Sequence, residues 1–234
     1  MRFSWTRQIV APVAVAILAA VLLAGPTGAP TAPSAAGHDH ADITFVANQQ
    51  PAGLDTLGDT CDGNSDLPLH DGFQSATPRC VDTQFGEHAA QADAPSLLIV
   101  DAPVVVRSGQ DIVLKVSVRN LVRDRFLAAG QGGYYLESSF LNGDGLIRGH
   151  FHTACRLIGN GKTALPPDRQ ASFRATEDGG GGRAPDTVTV TVPGLAGRGL
   201  AQCVVWAGDG SHRVPMASFA NQIPAIDARR LLVR

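Results

Sequence analysis

The chain has 234 residues, enough for one substantial domain with appendages and too few for two large ones. Its formal net charge is −2, with 19 Lys and Arg against 21 Asp and Glu, so nothing supports a nucleic-acid surface or electrostatic docking to a membrane. Only 17% of residues are charged while Gly supplies 26 and Pro 15, a balance that suits many short strands joined by tight turns.

Residues 1–25 carry Arg2 and Arg7, no acid, and then an apolar run rich in Ala, Val and Leu. That order is expected of a secretory signal peptide or an uncleaved N-terminal anchor. The Pro/Ala/Gly stretch that follows (26–40) has no face to pack and is expected to be a disordered linker, with small residues at 34–36 that suit cleavage before Gly37 or His38. ADITFVA (41–47) is a short strand candidate. The rest of 41–95 is loop-like, so this segment is expected to be an extension packed on a larger domain. Within it DTCDGNSD (59–66) offers Asp59, Asp62, Asn64 and Asp66 as oxygen donors, but without the EF-hand order or its closing glutamate. Side chains of this kind make their own turn hydrogen bonds.

From residue 96 the pattern changes. Ile112, Leu114, Val116 and Val118 alternate with Val113, Lys115, Ser117 and Arg119, and DTVTVTV (186–192) alternates more cleanly still, each predicting a strand with one wet face. Further strands are predicted at 134–141, 146–155, 171–175, 200–207 and 229–233, with NGDG (142–145) as a hairpin turn. Residues 121–129 form the only helix-like stretch, and the four glycines in EDGGGGRAPD (177–186) predict a flexible loop. The resulting fold class is all-β, an immunoglobulin or fibronectin-III-like β-sandwich over 96–234 with a disulfide-stapled, loop-rich N-terminal extension.

Export implies oxidising conditions, so Cys61, Cys80, Cys155 and Cys203 are expected to form disulfides. Three pairings are open to four cysteines. Cys61 and Cys80 share one turn-rich region while Cys155 and Cys203 lie on strand-like runs, which favours 61–80 and 155–203. With Cys155 pointing inward, period-two parity sends Phe151 and Thr153 to the same face and places His150 and His152 side by side on the other.

Two histidines at i and i+2 leave a strand in the same direction, a geometry that zinc or copper uses when a further ligand joins. His212 in GDGSHR is the favoured third ligand, with His38, His40, His70 and His88 as other histidines in the chain. Asp209, Ser211 and His212 also form a candidate binding loop at a strand end, although Asp209-Gly210 is equally a turn signal. Trp206, beside Val204, is expected in the core. Catalytic signatures such as G-x-S-x-G, H-E-x-x-H and a P-loop do not occur in the chain, and no catalytic residue is assigned.

The segments HADITF, GLDTLGDTCDGNSD, RGHFHTAC, ATEDGGGG and QCVVWAGDGSHRVPM resemble a group of exported proteins of high-GC Gram-positive bacteria, some of them labelled pecanex-like protein. The resemblance runs from His40 onward and implies export and a stable architecture. Pecanex proper is a many-span membrane protein and this chain has at most one span, so the label carries no mechanism across. Two functions are therefore expected: a non-catalytic, secreted or cell-surface β-sandwich that binds an extracellular ligand, or an extracytoplasmic zinc or copper protein built on His150, His152 and His212.

Overall fold

A computed structural model describes Gly58 and residues 60–234. The signal or anchor segment, the linker, the 41–47 strand, Asp59, His38 and His40 therefore lie outside the described residues. Ten strands follow in order: β1 (Ser96–Asp101), β2 (Val105–Val106), β3 (Ile112–Arg119), β4 (Leu121–Val122), β5 (Ile147–Leu157), β6 (Phe173–Thr176), β7 (Gly181–Gly182), β8 (Asp186–Val192), β9 (Gly199–Asp209) and β10 (Ile226–Val233). No α-helix occurs among the described residues. No helix among them is long and apolar enough to cross a membrane.

The strands form an immunoglobulin-like β-sandwich. One sheet has the order β1-β3-β8, and the other β2-β10-β9-β5-β4-β7, with β6 paired to β5. Alternation in β3 sends Ile112, Leu114, Val116 and Val118 inward, and Val190 and Val192 of β8 join them. Phe151 and Cys155 of β5, Cys203 and Val205 of β9 and Leu231 of β10 belong to the same apolar cluster, which closes the core. Each of the Val, Leu, Ile and Phe side chains here, fully removed from water, contributes roughly 1.5–3 kcal/mol. Cys155 and Cys203 face each other in the β5/β9 register and are bonded, as are Cys61 and Cys80 in the extension.

Four local expectations are corrected. Residues 121–129 are not helical, because the backbone N–H groups of Asn120 and Arg123 donate to Gly182 and Gly180 in strand-like pairing, leaving only a 3-10 turn at Ala129–Gln131. For the same reason the glycine run is ordered. Gly181 is at φ +91°, and a Cβ there would stand 2.1 Å from the Leu121 carbonyl oxygen, so only glycine lets β7 approach β4. The expected strand at 134–141 is reduced to isolated bridges at Ser139 and Leu141, because Tyr135 takes a left-handed conformation (φ +58°) that ends any extended run. Trp206 is not a core residue. It shares the face of Val204, opposite Cys203 and Val205, and is half-buried beside His152.

No local pattern in the sequence marks the buried guanidinium of Arg123, whose side chain is 2% exposed. It binds Asp178 and Asp186, each through two hydrogen bonds. The pair with Arg123 holds the Asp178 carboxyl below the usual carboxylate range. This clamp fixes the start of the segment 123–137, which crosses the outer face of β5.

Candidate metal centre

β5 alternates as parity requires, with Phe151, Thr153 and Cys155 on the core side and His150 and His152 on the other. That outer face is nonetheless closed: His150 is 0% and His152 6% exposed. The cover is the segment 123–137. Arg125 donates its N–H to the Gly149 carbonyl, Leu127 to that of Gly210, and Tyr135 to that of Ser211. The Phe126 ring packs at nearly a right angle to both His150 and His212, and the Tyr134 ring stacks on His212.

The loop after β9 turns back over the two histidines and delivers His212, which is 8% exposed. Its shape comes from Asp209, whose Oδ1 accepts the N–H groups of Ser211 (2.9 Å) and Arg213 (3.0 Å) while Oδ2 accepts Arg213 Nε (2.9 Å). Burial pushes the Asp209 carboxyl up despite the opposing pull of Arg213 and the two N–H groups. Ser211 Oγ accepts the Glu137 N–H at 2.8 Å. Asp209 and Ser211 thus shape the loop, and no Ser/His relay forms. His212 sits at φ +71°, a left-handed conformation that costs a non-glycine residue about 1 kcal/mol and marks a position held by its surroundings.

The three imidazoles converge. His150 Nε2 lies 2.9 Å from His152 Nε2 and 3.2 Å from His212 Nδ1, and the last two are 3.4 Å apart. The outer nitrogens decide the tautomers. A carbonyl oxygen only accepts, so His150 Nδ1–H donates to the Arg125 carbonyl (3.1 Å) and His212 Nε2–H to the Leu127 carbonyl (2.6 Å). Each of those rings therefore turns a lone pair toward the common point. His152 Nδ1 has no hydrogen-bonding partner, its ring tilted between Phe173 and Trp206. A Cβ on Gly208 would stand 3.1 Å from His150 Nε2, so glycine at that position keeps the nitrogen uncrowded.

Burial lowers His150 to about 4, with the Arg125 carbonyl opposing and His212 adding to the fall. Burial and then the neighbouring His150 and His212 lower His152 to about 3. Both rings are neutral near pH 7, the state a metal requires. The unfolded chain takes up these protons below about pH 6.5 and the fold resists them, so the metal-free protein is expected to keep its stability above about pH 6.5 and lose it progressively as pH falls toward 4. Denaturant midpoints across that range test this; a flat profile contradicts it.

His150, His152 and His212 are the one group of three or more His, Cys, Asp or Glu side chains among the described residues with the spacing to hold a metal ion. His70 instead accepts the Gly72 N–H and packs on Tyr134 and Tyr135, and His88 approaches Ser218 and the Ala89 carbonyl. The acidic run is a turn in which Asn64 N–H donates to the Cys61 carbonyl. Because Asp209 holds the loop that carries His212, Asp209→Ala is expected to weaken metal binding by about 10–100-fold while leaving the other two ligands in place, as read by competition with a chromophoric chelator. Unchanged affinity contradicts that role.

No protein-family model matches the chain. A protein of the fungus Colletotrichum graminicola named Pathogenicity cluster 5 protein d is 30% identical over 128 residues, 53% of this chain and 27% of that protein, so the match spans about a quarter of the relative's length. Among solved structures, the CARDB domain of a Pyrococcus furiosus protein in complex with di-metal ions aligns with a TM-score of 0.31 at 13% identity, over 60% of this chain and 94% of that one. A conjugative transposon lipoprotein from Bacteroides eggerthii aligns with a TM-score of 0.23 at 12% identity, over 58% and 95% of the two chains.

Proposed function

We propose that the protein is an extracytoplasmic, metal-binding β-sandwich whose ion is zinc, held by His150 Nε2, His152 Nε2 and His212 Nδ1. The supporting observation is the meeting of three imidazole nitrogens within 2.9–3.4 Å of one another, two of them with inward lone pairs fixed by carbonyl partners. The fixed lone pairs of His150 Nε2 and His212 Nδ1 face each other across 3.2 Å, an arrangement that a cation bridging them stabilises. An ion about 2.05 Å from each nitrogen subtends angles of about 90° to 112°, the facial tripod of a four-coordinate zinc site. Square-planar copper(II) needs one opposed pair about 4.1 Å apart, and the longest separation here is 3.4 Å.

Export is supported by the two disulfides and by the basic-then-apolar N-terminus. Secretion or surface anchoring is the setting proposed for the centre, and an extracellular ligand its partner. The test is metal analysis of untagged protein grown with zinc and copper. The reading expects about one zinc per chain and a fall to background in His150→Gln/His152→Gln. Wild-type protein without zinc, or a variant that retains it, overturns the reading.

A further inference from the structure

We infer that the coordination position left open by the three histidines takes an anionic oxygen donor, and that the guest supplying it is a small carboxylate with an aromatic body. This rests on the zinc reading. Three neutral imidazoles leave a dication uncompensated at a buried site, where an unpaired charge is costly. The nearby acids are already committed: Glu137 to Arg125 (2.8 Å), Asp209 to Arg213 (2.9 Å) and Asp178 with Asp186 to Arg123. Structural zinc sites close with a fourth protein ligand, and none joins these three among the described residues.

What borders the site is a cavity of about 190 Å³ lined by two of the three histidines, His152 and His212. Phe126, Tyr134, Phe173 and Trp206 also line it, with Gln74 and two alanines, and no carboxylate does. Such walls recognise a flat apolar body through buried area and ring stacking. Gln74 and Tyr134 also line a wider neighbouring cleft that carries Arg79 and Arg169 against the single acid Asp168. Arg169 donates to Gln74 Oε1 at 3.1 Å, which ties the cleft to the cavity wall. Arginines in excess at a cleft draw anions toward it.

Cobalt(II) replaces zinc in the full-length protein and reports its own coordination through visible absorption, so binding is read in the presence of benzoate, acetate and benzamide. The expected result is an intense four-coordinate band that benzoate perturbs at about tenfold lower concentration than acetate, with benzamide inert at the same concentrations. Trp206→Ala is expected to keep the band and the acetate response and to lose the preference for benzoate. A protein that gives no cobalt band refutes the metal reading itself. A normal band that ignores all three probes shows that the chain supplies its own fourth ligand, and a band that answers benzamide as well as benzoate shows that charge is not selected. Either of these overturns the inference and leaves the metal centre standing. Equal responses to benzoate and acetate overturn the aromatic part.

Discussion

Stripping the zinc-loaded protein with a chelator is expected to lower its thermal midpoint by about 10 °C, and restoring zinc to return it. An ion that binds the folded chain alone adds RT ln(1 + [L]/Kd), about 4 kcal/mol at a thousandfold excess over Kd, and a domain of this size shifts by about 2–4 °C per kcal/mol. The three candidate ligands come from two segments 60 residues apart, His152 on β5 and His212 beyond β9, so an ion held by them would cross-link parts of the chain that unfolding separates. Without it, only the His152 Nε2–H is left to bridge the lone pairs of His150 and His212. His150→Gln, carrying an amide where the buried ring stood, is expected to show no zinc-dependent increment. A midpoint indifferent to zinc and chelator in the wild type contradicts the account.

The second large effect is covalent. Cys155→Ala/Cys203→Ala is expected to cost about 4 kcal/mol, because the closed loop is long (sequence separation 48) and chain entropy in the unfolded state rises with its length. The cost appears as a fall of about 10 °C in the midpoint. Both sulfurs lie in the core, at 1% and 0% exposure, so the alanines also leave unfilled volume. Zinc stoichiometry is expected to stay near one per chain, since nine paired positions hold β5 against β9 whether or not this bridge exists. Removing the shorter 61–80 bridge, with a separation of 19, is expected to cost about 3 kcal/mol. A double alanine variant as stable as the wild type, or one that folds but loses zinc, contradicts this division between bridge and site.

Alternation carried most of the architecture. β3 and β8 are legible because one face of each is wet, and the His150/His152 face follows from Cys155 by counting in twos. The same count from Cys203 puts Val205 on the core side and Val204 with Trp206 on the histidine side, so a place beside Val204 marks the outer face rather than the core. The cover over the histidines was not legible. Residues 123–137 have no period, and their path is set by hydrogen bonds to a loop more than 70 residues away, such as Glu137 N–H to Ser211 Oγ at a separation of 74. Nor does sequence announce a buried arginine whose acids lie 55 and 63 residues downstream. His212 stood between: GDGSHR marks a turn, and the β5/β9 register, which sets Gly149 opposite Asp209, is what returns that turn to His150.

X-ray absorption at the zinc edge of protein purified with its metal tests the central claim most directly. The account predicts a four-coordinate shell with three imidazole nitrogens at about 2.0–2.1 Å and one oxygen donor. A six-oxygen shell, a shell with fewer than two imidazoles, or a spectrum identical in His150→Gln/His152→Gln would contradict it.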